Sequence, residues 1–205
     1  MAKSSLTLAR CLGEFIAAAG DAEFALVGGL AVSARSLPRF TADVDFALAV
    51  VNDAEAEAFI FSLSTRGFRP ETILERKDGG SIATARLRQA ATSPIIDLLF
   101  ATSGIEREIV AAAERLVVLG HDVRVARTGH LIAMKLVSRD DKRRPMDRAD
   151  LVALARVADA AEWARADEAV RLIEERGFQR KRDLSAALAE LRVLASELEE
   201  DSDAE

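Results

Sequence analysis

The chain has 205 residues, half of them hydrophobic, a net charge of −6 and one cysteine, Cys11. That is enough apolar material for a core, while a single cysteine excludes a disulfide framework and a cysteine-based zinc site and suits a cytoplasmic location. No apolar run approaches the roughly 18 residues of a membrane span, and two histidines, His121 and His130, are too few for a histidine-rich metal site.

The first periodic segment, 5–19, reads as an amphipathic helix with Glu14 inside its pattern, which argues against a signal peptide. Gly20 and Asp21 end it. EFALV, 23–27, is a short apolar strand, and Gly28-Gly29 turns the chain into a short helix near 30–36. DVDFALAV, 43–50, is a second strand. Asp53 is placed to cap a helix over 54–65, closed by Gly67. Strands 68–76 and 81–89 flank Asp78-Gly79-Gly80, a hairpin signal. PIIDLLFA, 94–101, is a further strand, followed by a helix over 104–114 and strands near 116–119 and 122–126.

Beyond residue 127 helical periods dominate, at 128–139, 145–158, 162–175 and 182–198. The acidic stretch 199–205 has the composition of a disordered tail. The expectation is an α/β (α+β) fold: a lobe over 1–127 with a small mixed β-sheet and flanking helices, then a helical lobe over 128–198.

Chemistry concentrates in residues 27–48, VGGLAVSARSLPRFTADVDFAL. Residues i and i+2 of a strand share a face, so Asp43 and Asp45 project side by side while Val44 and Phe46 point into packing. Two carboxylates about 5 Å apart repel by roughly 3 kcal/mol at an effective dielectric of 20. Protonation, a basic partner or a bound cation relieves that, and hard oxygen donors favour Mg²⁺ or Mn²⁺. Asp97 is the one charge in PIIDLLF. If its strand neighbours 43–50, three carboxylates meet at one edge of the sheet, the layout of a two-metal site for phosphoryl chemistry. Gly28 and Gly29, between a strand and a helix N-terminus, favour phosphate. A solvated strand end explains an Asp-x-Asp equally well when it stands alone.

The helical region poses a similar question. Lys135 shares a helix face with Leu131 and Ile132, so it must snorkel, pair or line a cleft. Asp147 shares a face with Leu151 and Leu154, and Asp150 borders it. Lys135 and Asp147 either tie two helices together or serve a ligand. Lys135, Arg139, Lys142, Arg143, Arg144 and Arg148 form the one basic cluster, as nucleic-acid binding by an acidic chain would require. Arg35 and Arg39 lie between the glycines and Asp43 and could contact a bound triphosphate, while a solvated helix face accounts for Arg35 at least as well. The nine Phe and one Trp, Trp163, read as core and helix packing.

Val27-Gly28-Gly29 followed by Asp43-Val44-Asp45-Phe46, with Asp97 on a later strand, resembles the signature of the DNA polymerase β-like nucleotidyltransferase superfamily. Arg39-Phe40-Thr41-Ala42-Asp43-Val44-Asp45 is similar to the AbiEii-type group, toxin-like nucleotidyltransferases of abortive-infection and toxin–antitoxin operons. The resemblance covers about 22–155. It implies Asp43, Asp45 and Asp97 as metal ligands and catalytic residues, with Asp97 helping to activate the acceptor. It implies Gly28, Gly29 and Arg39 for a nucleoside triphosphate (NTP). It implies that the helical lobe over 128–198 closes the nucleotide cleft, with Lys135 a catalytic residue and phosphate or base contact, Asp147 its orienting or catalytic partner and Asp150 a nucleotide-binding residue of the Asp-x-x-Asp-Leu pattern. Met146 stands where arginine is expected. The implied partners are an RNA acceptor such as a tRNA 3′ end and a cognate antitoxin. Transfer to a protein hydroxyl or a small molecule, and a nucleotide-binding module without turnover, remain open.

Overall fold

The computed structural model describes residues 2–76, 80–90, 93–140 and 146–203, with side chains over 7–198 of these ranges. Asp78-Gly79 of the expected hairpin turn, and Lys142 to Pro145 of the basic stretch, lie outside the described residues. The chain divides into two compact units. One comprises 1–31, 39–102 and 106–126; the other comprises 32–38, 103–105 and 127–205.

The first unit is built on a seven-stranded mixed sheet. Its strands are β1 (Phe24–Val27), β2 (Val44–Leu48), β3 (Arg69–Glu75), β4 (Ile82–Arg88), β5 (Ile96–Leu99), β6 (Glu114–Val118) and β7 (His121–Val125), in the order β3-β4-β5-β2-β1-β7-β6. β1 pairs antiparallel with β2, and β2 pairs parallel with β5, which is antiparallel to β4. The β1/β2 and β2/β5 pairings put the chemistry-bearing segments side by side at the centre of the sheet. The helices here are α1 (Ala2–Ala19), α3 (Asp53–Thr65) and α4 (Glu106–Ala112), with the start of α2 (Gly28–Arg35).

Val44 and Phe46 are fully buried, as alternation in a strand requires. The Phe46 ring stacks on Phe15 of α1 with centroids 4.0 Å apart, and Phe24 and Phe68 meet Phe15 edge-on at 5.4 and 6.2 Å. This aromatic cluster anchors β2 from the face opposite its carboxylates. Gly13 lets α1 approach β7: a Cβ there would lie 2.4 Å from the His121 ring. His121 is thus a packing residue at the start of β7. Burial pushes the Cys11 thiol up to about 11, which leaves it protonated and unreactive at neutral pH.

The cap of α3 differs from expectation. Asn52, with an extended backbone, accepts from the Glu55 N–H at 3.0 Å. Asp53 is the first helical residue and accepts from the Ile82 N–H instead, fastening α3 to β4. The competition went to the residue whose backbone is extended, as an N-cap must be.

The second unit contains α5 (Thr128–Ser138), α6 (Met146–Ala155), α7 (Ala160–Glu175) and α8 (Leu184–Asp203). Helix α8 runs past the expected end at 198. Helices α5 and α7 come together at Gly129, where a Cβ would meet the Glu162 carbonyl oxygen at 2.3 Å. The Glu162 carboxylate accepts from the Gly129 N–H at 2.8 Å and from Arg127, so it satisfies the amino end of α5 from α7. Trp163 packs under the Arg192 guanidinium, 5.1 Å from its ring centroid.

Candidate active site

Asp45 lies opposite Val27 of β1 and in register with Asp97 of β5. Asp97 in turn lies opposite Arg86 of β4. Register partners in a sheet present side chains on the same face. One row across the sheet therefore reads Arg86, Asp97, Asp45, Val27, with Asp43 two residues before Asp45. The three carboxylates singled out from sequence share this face.

Their environments differ. Asp97 is buried, and both its oxygens are engaged: Arg86 Nε donates to Oδ1 at 2.8 Å and Nη2 to Oδ2 at 2.7 Å. The fork-to-fork geometry is the strong form of such a pair. Asp43 is half-buried. Desolvation, and then the charge of Asp97, push its carboxyl above the usual aspartate range, opposed by Arg86 and Arg88. The Arg86 guanidinium is pushed up by its hydrogen bond to Asp97. Arg88 is committed elsewhere, to Glu71 at 2.7 Å and to the Ser93 carbonyl oxygen at 2.7 Å.

The glycines meet this face directly. Gly28 has φ +65°, and a Cβ on it would lie 2.0 Å from Asp45 Oδ2. The β1–α2 turn therefore closes onto Asp45 only because residue 28 lacks a side chain. A Cβ on Gly29 would lie 2.8 Å from Arg39 Nη2 and 2.9 Å from Thr41 Oγ1. Arg39, Thr41 and the first turn of α2 form one cluster beside the carboxylates. Thr41 also reaches the Asp43 carbonyl oxygen at 3.4 Å.

A hard divalent cation fits part of this set. Among the described residues no group of three or more His, Cys, Asp and Glu side chains is clustered to hold an ion. Asp43 and Asp45 supply two carboxylates, and Mg²⁺ is held by one or two carboxylates together with substrate phosphates. Asp43 is raised first by desolvation and then by the Asp97 charge, and such an ion would offset both by pairing with its carboxylate.

In the second unit, Lys135 Nζ lies 2.7 Å from Asp147 Oδ1 and 2.7 Å from Asp150 Oδ2. Asp147 is 4% exposed and Asp150 1%. Ser138 Oγ approaches Asp147 Oδ2 at 3.5 Å. Asp150, expected only to border the inward face, is the more buried of the two. Arg139 ends α5, and Arg148 is exposed on α6.

Sequence reasoning missed Arg86, Thr41 and Glu162. Arg86 and Arg88 do stand at i and i+2 in SIATARLRQ, a same-face pair if that segment is a strand. Nothing local says that the strand lies beside Asp97.

No protein-family model and no curated protein matches the sequence. Among solved structures the chain is similar to a putative nucleotidyltransferase from H. pylori, at 18% identity over 96% of this chain and 95% of that one, with a TM-score of 0.51. It is also similar to an antigenic nucleotidyltransferase-like protein from Paracoccidioides brasiliensis (20% identity, 92% and 91% covered, TM-score 0.48). A third is the antibiotic-resistance factor ANT(2'')-Ia (20% identity, 98% and 100% covered, TM-score 0.48). The likeness to the H. pylori protein shows the fold, a mixed α/β fold of nucleotidyltransferase-like type. Among the described residues no helix is long and apolar enough to cross a membrane.

Proposed function

We propose that the chain is a metal-dependent nucleotidyltransferase that moves a nucleoside monophosphate from an NTP to an acceptor hydroxyl. The observation that carries the proposal is the close approach of Gly28 to Asp45 on a face shared with Asp43 and Asp97. It joins a turn suited to phosphate to a carboxylate pair suited to a divalent cation. Asp43 and Asp45 hold Mg²⁺ or Mn²⁺, which would neutralise charge on the triphosphate and the leaving group. The first turn of α2, with Gly28 and Gly29, takes the triphosphate, and Arg39 lies beside it.

The acceptor oxygen attacks the α-phosphorus and a new P–O bond forms. The bond from the α-phosphorus to the α–β bridging oxygen breaks, and pyrophosphate leaves with that electron pair. Asp97 accepts the acceptor's proton through the oxygen that its arginine partner releases.

The favoured acceptor is RNA at a 3′ end, and the favoured role is that of a toxin restrained by a cognate antitoxin in the cytoplasm. Both rest on the similarity of residues 39–45 to the AbiEii-type group. Periodate oxidation of the RNA 3′ diol tests this: labelling of intact RNA that disappears after oxidation supports it. Labelling only of protein, or of a small hydroxylated molecule, redirects the acceptor while leaving the reaction class standing.

For Lys135 the same resemblance gives nucleotide contact, oriented by Asp147 and Asp150. A second role is favoured by geometry, since an ammonium 2.7 Å from two buried carboxylates ties α5 to α6. Comparing nucleotide affinity with melting temperature in Lys135→Met separates the two.

A further inference from the structure

We infer that Arg86 is a resident cation of the catalytic face, and that the chain therefore takes one divalent ion, on Asp43 and Asp45, rather than two. The inference rests on the metal-dependent reading of that face and goes beyond it, because a second ion needs a carboxylate beyond the Asp43–Asp45 pair, and on this face that carboxylate is Asp97.

Three observations support it. Asp97 gives both oxygens to one guanidinium, at 2.8 and 2.7 Å, in the planar fork that a carboxylate binds most tightly. Arg86 and Asp97 are register partners on adjacent strands, and Asp97 is the register partner of Asp45 on the next. The fork is thus held by the sheet itself and does not depend on a loop. The charges also balance for a single ion. Within the row, Asp43, Asp45 and Asp97 against Arg86 leave two negative charges, which one divalent cation neutralises, and Arg39 beside the first turn of α2 lowers the need for a second ion further. A second divalent ion would leave the cluster positive and would stand beside a guanidinium.

The guanidinium is reached from solvent while the carboxylate is not: the side chains are 45% and 12% exposed. Arg86 can therefore swing outward when an acceptor hydroxyl needs Asp97, whereas Asp97 stays in place. Arg88, two residues on and held by Glu71 and the Ser93 carbonyl oxygen, is not placed to take over. Arg86 is on this account a positioning residue. It holds Asp97 aimed along the row with both oxygens engaged, and keeps a metal off it.

Counting bound Mn²⁺ by the loss of its free electron-paramagnetic-resonance signal tests this on the full chain, alone and with a non-hydrolysable NTP analogue whose own Mn²⁺ uptake is subtracted. The wild-type chain should bind one Mn²⁺, and Asp45→Ala should bind none. Arg86→Ala should bind a second ion, or bind the first about tenfold more tightly or better, as expected when a unit positive charge is removed from a partly buried site. Arg86→Lys should keep the count at one, because the charge remains. Two ions on the wild-type chain would overturn the inference and leave a metal-dependent transferase intact. An Arg86→Ala chain with unchanged count and affinity would also overturn it. No ion on the wild-type chain would remove the metal reading together with the inference. If Arg86→Ala melts below the assay temperature, the wild-type and Arg86→Lys counts still decide.

Discussion

Replacing Gly28 with alanine puts a methyl group where Asp45 already stands. The new Cβ would lie 2.0 Å from Asp45 Oδ2, 2.5 Å from Cγ and 2.8 Å from Cβ. Those contacts run from the tip of the side chain to its root, so turning the carboxylate does not relieve them. A left-handed conformation, φ +65° here, costs a non-glycine residue about 1–2 kcal/mol, and overpacking adds about 1–3 kcal/mol. At about 2–4 °C per kcal/mol for a chain of this size, the melting temperature falls by about 10 °C. Gly20→Ala supplies the control. Its φ is +60° and nothing lies within 4 Å of the added Cβ, so only the conformational cost of about 1–2 kcal/mol applies. The assay is thermal melting of both variants with metal binding beside it. Gly28→Ala should lose more stability than Gly20→Ala and should weaken Mn²⁺ binding, which Gly20→Ala leaves alone. Equal losses of stability, with metal binding unchanged, would refute the contact between the turn and Asp45.

The other predictions concern charge. Asp43 is raised in the fold, so its ionised form is held less comfortably there than in the unfolded chain. Its destabilising effect is present at neutral pH and disappears below the ordinary value of 3.8, where both states are protonated. Asp43→Asn should therefore melt higher than wild type at pH 7.5 without metal, with the gain shrinking as the pH falls through the acidic range. Lys135→Met leaves Asp147 and Asp150 buried without their shared cation, at a cost of about 3–5 kcal/mol. Adding Asp147→Asn and Asp150→Asn to it should recover most of that loss in denaturant melts. Arg86→Ala should raise the Mn²⁺ count or affinity as set out above.

Much of the fold was legible because its signals are local. All seven strands were expected near their observed positions, since alternation and turn residues sit within each segment. The carboxylate face was legible too, because Asp43 and Asp45 stand two apart and Asp97 interrupts an otherwise apolar run. What escaped depends on which strands become neighbours. The order β4-β5-β2 brings Arg86 to Asp97, and no short-range pattern encodes that order. The α3 cap was misassigned by one residue because Asn52 and Asp53 are both good capping residues, and the tertiary bond from the Ile82 N–H to Asp53 settles which one caps. Glu162 was hidden for the same reason: its partners Arg127 and Gly129 lie more than thirty positions away.

The central claim is nucleotidyl transfer at the Asp43–Asp45 face. The direct measurement is incubation of the chain with each NTP radiolabelled at the α-phosphate, with Mg²⁺ and separate pools of small RNA and cell protein, beside Asp45→Ala. Label should appear in one pool, RNA being the expected one, with pyrophosphate released in equal amount and neither seen with Asp45→Ala. Label that persists in Asp45→Ala, or no label in any pool while the NTP still binds, would contradict it.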